Sequence, residues 1–494
     1  MNEPPLSPLI ILLLAPLAGV LAISLGAPAR ISAIVSAAVN LAAFLFIAAL
    51  YSTQTGGYQF TSNFPVSPDL GISLALGADG FSLLMLALSS VVTLCATLVA
   101  RTPEKSPALF YSCLLLISTG AIGAFISTDI LFFYIFHELA LVPTFLLIGI
   151  YGSGDRQQAA WKITIYLALG SFILLVGLIG LYLSLPEAVR TFDMRQIVSL
   201  AKLGEINPPD WVFLLIFLGF GVLVSLFPFH TWAPSAYASA PSPAAMLHAG
   251  VLKKFGLYGI LRIVCPVFPD FVFERWSWLI LTMTAGSIFY VGFVTISQRK
   301  LDLMLGYSSV MHMGYAFLGI LALNSPGLNG AGMTILAHGL TIAALFALCG
   351  ELREKTGTLD FAELGGIAKS APHMGMLFGF AAMASVGLPG FAGFAAELMV
   401  FFGAFSSRLS NLSAWSPIQM VTVLAVWGVV VSAVYMLRAY RKIFFGESQA
   451  KWESISDIGP LVRFSVTLII VLLLVFGFWP PFALQYLSPS LIMP

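Results

Sequence analysis

Two glutamates and two lysines stand in this sequence where a lipid-soluble chain has no ordinary use for charge. Glu138 lies in Phe-His-Glu-Leu-Ala-Leu-Val-Pro, Glu397 in Gly-Phe-Ala-Ala-Glu-Leu-Met, and Lys253 and Lys254 in His-Ala-Gly-Val-Leu-Lys-Lys-Phe-Gly, each inside a long apolar run. An ionisable group at the centre of a bilayer costs about 2.5 kcal/mol or more, and by default it marks an ion path or a proton relay. The competing reading is a side chain that snorkels from a helix end or sits in a structural ion pair. Adjacent residues on an α-helix are about 100° apart, so the two lysines can hardly both face one path, and Lys253 stays open between the two readings.

Histidine changes charge near neutral pH and is suited to passing protons on. Of the six histidines, His312 and His338 lie well inside successive apolar runs, between the lysines and Glu397 in sequence, and are relay candidates. His230 and His248 flank a proline-broken segment and read more readily as packing residues, while His373 reads as a loop residue.

The elements that must hold these groups are membrane helices. The 494 residues are 59% hydrophobic and only 9% charged, against roughly 25% charged in soluble domains. Apolar runs long enough to cross about 30 Å of hydrocarbon, roughly 20 residues each, recur at 6–25, 30–51, 79–100, 108–126, 128–150, 162–185, 211–230, 243–263, 276–297, 303–323, 330–350, 374–404, 418–442 and 463–484. The fold expected is all-α and polytopic, with about fourteen transmembrane helices. A β-barrel would alternate apolar and polar residues, and stretches such as 172–181 do not. The first run lacks a basic flank and is too long for the apolar core of a signal peptide, so it reads as a retained helix. Four isolated cysteines, Cys95, Cys113, Cys265 and Cys349, form no CxxC or histidine pairing, which argues against a metal or iron–sulfur site. The loop 52–78 and the polar connectors 186–210 and 351–373 separate the runs, and no nucleotide-binding GxGxxG follows a strand.

Fifteen Lys and Arg follow odd-numbered runs and six follow even-numbered ones. Because basic loops stay in the cytoplasm, both termini are expected on the periplasmic side of the cell membrane. Two runs carry internal breakers: Leu-Phe-Pro-Phe-His-Thr-Trp-Ala-Pro at 226–234 in the seventh, and Gly-Leu-Pro-Gly-Phe-Ala-Gly at 387–393 in the twelfth. Proline kinks a helix, and paired breaks in two halves point to a transport site built from repeats. The breaks are five runs apart, an odd number, so the repeats run in opposite senses across the membrane.

These residues resemble the antiporter-like subunits of respiratory complex I, a family found also in Mrp-type cation/proton antiporters and membrane-bound hydrogenases. The resemblance spans about residues 80 to 445. It is carried by Glu138 with Val142-Pro143; Ala159-Ala160-Trp161-Lys162; Pro228-Phe-His230-Thr-Trp232-Ala-Pro234; Ala249-Gly250-Val-Leu-Lys-Lys254 with Gly256 and Tyr258; Gly306-Tyr307-Ser308-Ser309-Val-Met-His312-Met-Gly314; Ala337-His338-Gly339; and Gly387-Leu-Pro389-Gly390 with Glu397. Glutamate in the twelfth helix, and no long lateral helix at the C-terminus, resemble the M-type branch. The resemblance implies two inverted five-helix repeats with broken helices 7 and 12: residues 1–107 as helices 1–3, 108–263 as the first repeat, 276–442 as the second, and 463–494 as the last helix. It implies a hydrated axis of Glu138, Lys162, Lys254, His312, His338 and Glu397, with Lys253 as an added candidate. It further implies no cofactor or metal in this subunit, with NAD, FMN, iron–sulfur and quinone chemistry in partner chains, and neighbouring membrane-arm subunits, lipid and protons as partners, but no nucleic acid.

The chain departs from the family pattern where a lysine usually precedes the seventh-helix break, since Leu223 stands there; Ser235 replaces an aspartate, and Lys300-Leu-Asp302 an Asp-Leu-Lys turn. Without that lysine, Glu138 lacks its usual opposite charge. Lys253 stands where relatives carry an apolar residue, and it is expected to point toward Glu138 or the seventh-helix break. Three functions therefore stay open: a proton-translocating subunit of an NADH–quinone oxidoreductase, a subunit of a cation/proton antiporter or hydrogenase, or a spacer that does not pump.

Overall fold

In the computed structural model, which describes residues 7–407, 415–447 and 450–491, each of the fourteen apolar runs falls on helical backbone. The start of the first run at Leu6, Arg408 of the basic-residue count and residues 492–494 of the last segment lie outside those described. Among the described residues ten helices are long and apolar enough to cross a membrane, from Ala29–Leu50 to Pro460–Phe478, and shorter apolar helices cover the first, seventh and twelfth runs. Proline, whose fixed φ suits a first helical turn, opens Pro107–Ile126, Pro372–Val386, Pro417–Phe444 and Pro460–Phe478. Asp79, Asp129 and Asn324 cap Gly80–Val99, Ile130–Tyr151 and Ser325–Thr356 by accepting hydrogen bonds from backbone N–H groups that have no intrahelical partner.

The centre is formed by helices that no lipid touches. Leu301–Leu321 and Ser325–Thr356 are almost wholly buried, whereas Ala29–Leu50 and Pro417–Phe444 bury about a third of their apolar stretch and cover the outside. Both predicted breaks are present. The seventh run is Asp210–Val224, an irregular segment, then Trp232–Ser239; the twelfth is Pro372–Val386, a turn at Gly387 with φ +75, then Ala392–Phe405. A third irregularity has no breaker residue to announce it. The lysine-bearing helix, residues 242–267, widens into π turns at His248–Leu252 and Ile260–Val264, a feature often found at functional sites.

Several expectations are corrected. The loop 52–78 holds an antiparallel hairpin, Gln59–Ser67 paired with Ile72–Ala78 and closed at Pro68–Leu70 with Gly71 at φ +66, so the chain is all-α only in its membrane part. Its second strand hydrogen-bonds the helical body, Thr128 N–H donating to the Ala75 carbonyl at 2.9 Å. The connector 186–210 contains the short helix Met194–Lys202. The run 463–484 is two helices, Pro460–Phe478 and Pro481–Ser490, because consecutive prolines at 480 and 481 end the first.

Ion pairs tie the loops to one another. Arg101 with Glu351 and Glu354, Arg353 with Asp302, and His373 with Asp457 join residues that the count places on the basic side. Arg262 with Asp79 and Arg275 with Asp210 join residues placed on the opposite side.

Candidate functional site

At the middle of the bundle the lysine helix crosses Ser325–Thr356 at Gly250 and Gly339. A Cβ on Gly339 would lie 2.6 Å from the Gly250 carbonyl oxygen, closer than real side chains come, so this approach requires the absent side chain. The close crossing sets Lys254 against His338. The Lys254 Nζ lies 2.7 Å from His338 Nδ1, donates to the Ala249 carbonyl at 3.1 Å and touches Met313 Sδ at 3.7 Å. Its exposure is 0%, and such a site is stable only because the ammonium has hydrogen-bond partners.

The His338 and His312 rings follow one another with centroids 5.6 Å apart. His312 is held on both sides: Nδ1 lies 2.8 Å from the Ser308 carbonyl and Nε2 lies 2.9 Å from the Ser385 carbonyl. The second contact is a product of the break, because Ser385 belongs to the last turn before Gly387, where carbonyls lose their intrahelical donors. A proton on either ring nitrogen therefore meets an acceptor already in place. Between His312, His338, Thr334, Thr341, Ser385 and Glu397 lies a cavity of about 30 Å³, enough for a water molecule. The Glu397 carboxylate fills the space beside Gly387 that a Cβ would occupy. Lys254, His338, His312 and Glu397 thus form one row, as expected.

The first half is arranged differently. Glu138 accepts a hydrogen bond from Ser171 and lies 3.6 Å from His137 Nδ1, with a third of its side chain exposed, so it stands toward the outer face of the bundle rather than deep within it. Leu223 is buried and packs against Gly170, next to that same Ser171. No lysine lies within ion-pair distance of Glu138 among the described residues. Lys162 sits in the second turn of Arg156–Leu183 and lines a cavity of about 680 Å³ on the basic side, together with Asp155, Ser235, Asp302 and Arg353.

The geometric objection to the adjacent lysines does not hold in this helix. Lys253 is only 2% exposed and Lys254 is fully buried, because protein encloses residues 243–265 of this helix on every side. Lys253 forms no ion pair with Glu138 among the described residues; its Nζ donates to Ser309 Oγ at 3.2 Å and lies 5.9 Å from the centre of the Tyr237 ring, on the helix after the seventh-run break. His248 Nδ1 lies 3.3 Å from Tyr237 Oη, His137 stacks on Phe255 with centroids 4.1 Å apart, and His230 stacks on Phe227. His373 is exposed and bonded to Asp457 at 2.8 Å, a loop residue as expected.

Sequence reasoning missed Ser171, Ser309 and Tyr237, whose types are ordinary for apolar helices. It also missed a fully buried ion pair. Arg262, one of the six basic residues counted after even-numbered runs, is bound by both carboxylate oxygens of Asp79, with Nη1 to Oδ2 at 2.5 Å, and is flanked by Phe81 and Tyr258. Tyr258 in turn lies 2.9 Å from Ser82 Oγ and donates to the Phe125 carbonyl at 3.0 Å. These contacts fix the lysine helix against Gly80–Val99 one to two turns beyond Lys254.

Broken helices meeting around a buried row of lysine, histidine and glutamate define a polytopic membrane protein of the transport type, in which irregular backbone survives at membrane depth because protein covers it. Known proteins make the class specific. Residues 127–426 match the family described as NADH:quinone oxidoreductase/Mrp antiporter, TM, and the chain belongs to that family. NAD(P)H-quinone oxidoreductase chain 4 2 of Thermosynechococcus vestitus is 35% identical over 443 residues, 88% of this chain and 80% of that one. NADH-quinone oxidoreductase subunit M of Rickettsia felis is 31% identical over 450 residues, 91% and 88% of the two chains. A chain of respiratory complex I from Thermus thermophilus with bound NADH superposes with a TM-score of 0.86 at 29% identity over 98% of each. A chain of the Mrp complex from Dietzia sp. DQ12-45-1b shares the fold, with a TM-score of 0.84 at 20% identity over 98% and 96%. The M-type resemblance read from the motifs agrees with these relatives.

Proposed function

We propose that this chain is a proton-translocating membrane-arm subunit of an NADH–quinone oxidoreductase. It has no redox role of its own: NAD, FMN, iron–sulfur clusters and quinone are bound by partner chains, whose electron transfer drives protons along this one. Neighbouring antiporter-like subunits pack beside it in the cell membrane, with both termini on the periplasmic side. Residues 108–263 and 276–442 act as inverted repeats between the helices of 1–107 and 463–494. Lys162 stands at the entrance from the basic side, Lys254, His338 and His312 pass the proton on, and Glu397 is the last carboxylate before exit. Glu138 is the carboxylate of the first half.

The observation that carries this reading is the 2.7 Å contact of Lys254 with His338 at the buried centre, continued through His312 and a water-sized cavity to Glu397. Buried groups that serve only stability are matched in charge, whereas this row ends on a carboxylate without an ion-pair partner among the described residues. A second reading, a spacer that joins pumping neighbours, draws on Leu223 and on a Glu138 that has no lysine partner among the described residues. Glu397→Gln decides between them, because it keeps the size of the side chain and removes its titration. In the purified complex in proteoliposomes, the variant should oxidise NADH yet move fewer protons per electron. A wild-type ratio would remove Glu397 from the relay and favour the spacer.

A further inference from the structure

We propose that Lys253 is the entry station of the relay, the group that takes a proton from the basic-side cavity and supplies the Lys254–His338 pair; this rests on the proton-translocating reading above. The placement carries the inference. Ser235, Ala238 and Ser239 of the helix Trp232–Ser239 line the cavity that also holds Lys162. Tyr237 of the same helix turns inward, and its ring lies under the Lys253 ammonium. One helix therefore separates the cavity from Lys253, and Lys253 is the residue next to Lys254.

The surroundings of the two amines differ in a way that suits a hand-over. Lys254 contacts His338 and Met313, whereas Lys253 contacts Ser309, one turn before Met313 on the helix Leu301–Leu321. Both amines are buried, because protein encloses residues 243–265 of their helix on every side. No carboxylate lies within ion-pair distance of either ammonium among the described residues, so a structural salt bridge does not account for the second lysine. A buried lysine held only by a hydroxyl and a ring face is instead free to exchange its proton, forming an N–H bond on uptake from cavity water and breaking it on release toward Lys254.

Lys253→Met, Lys253→Arg and Lys254→Met, measured in the assembled complex in proteoliposomes by protons moved per NADH oxidised, separate the possibilities. Methionine keeps the length without the charge, and arginine keeps the charge but does not release a proton. Both Lys253 variants are expected to lose as much of the ratio as Lys254→Met while NADH oxidation continues. A wild-type ratio in both Lys253 variants, with the ratio lowered in Lys254→Met, would overturn the entry role and leave the relay standing. A lowered ratio for methionine but not arginine would also overturn it, since a fixed charge would then suffice. Three wild-type ratios would overturn the relay reading too. Should Lys253→Met fail to assemble, the arginine variant decides by itself.

Discussion

The Asp79–Arg262 pair gives a prediction whose size comes from its geometry. Both side chains are about 95% buried, the guanidinium is bidentate, and Asp79 also caps Gly80–Val99 by accepting from Ser82 N–H at 2.9 Å. Removing one member of a buried pair costs about 3–5 kcal/mol, because the other charge is left without compensation. Loss of the cap adds about 1 kcal/mol. Asp79→Ala should therefore cost about 4–6 kcal/mol. Asp79→Asn, which keeps the cap acceptor, should fall near the low end, about 3 kcal/mol, since Arg262 retains Ser82 and the Phe81 and Tyr258 rings at 5.1 and 5.0 Å. The double variant Asp79→Asn with Arg262→Met leaves no buried charge and should recover most of that loss, making it about 2 kcal/mol more stable than Asp79→Asn alone. Helicity measured during SDS titration of the purified chain in mixed micelles provides the free energies. A cost below about 1 kcal/mol for Asp79→Asn, or a double variant as weak as the sum of the singles, would refute the view that this pair fixes the lysine helix.

Other outcomes are expected from the same structure. Burial raises the Asp457 carboxyl, but hydrogen bonds from the His373 and Ile458 amides and the His373 ring outweigh it and hold the group below its ordinary value of 3.8. A lowered folded value means that the contact contributes stability above 3.8 and loses it as pH falls through the folded value. The protection factor of the Met374 amide, which donates to Asp457 at 3.1 Å, should therefore fall only at pH below about 4 and be low at every pH in Asp457→Ala; a protection factor that is flat across that range would contradict the assignment. Tags at both termini should be reached by an impermeant reagent from the periplasm and a tag after Arg441 should not; a cytoplasmic C-terminus would require one span more or fewer.

The sequence by itself determined the polytopic helical class and the two breaks. Apolar length and proline act locally, and lipid admits no other solution for so many apolar runs. It also determined which residues were out of place, because a charge in an apolar run is conspicuous whatever its neighbours: Lys254, His312, His338 and Glu397 fall in one row. The side of a helix on which a residue lies was beyond its reach. Lys253 is buried because protein encloses its helix on every side, which the spacing of residues along one helix does not reveal. Glu138 was conspicuous by the same rule, yet it stands at the outer face, since an apolar run reads alike whether protein or lipid surrounds it. Arg262 and Asp79 are 183 residues apart and sit at the ends of their runs, where charges are ordinary. Only the packing of the lysine helix against Gly80–Val99 removes both from water, and only the side-chain-free crossing at Gly250 and Gly339 brings Lys254 within a hydrogen bond of His338.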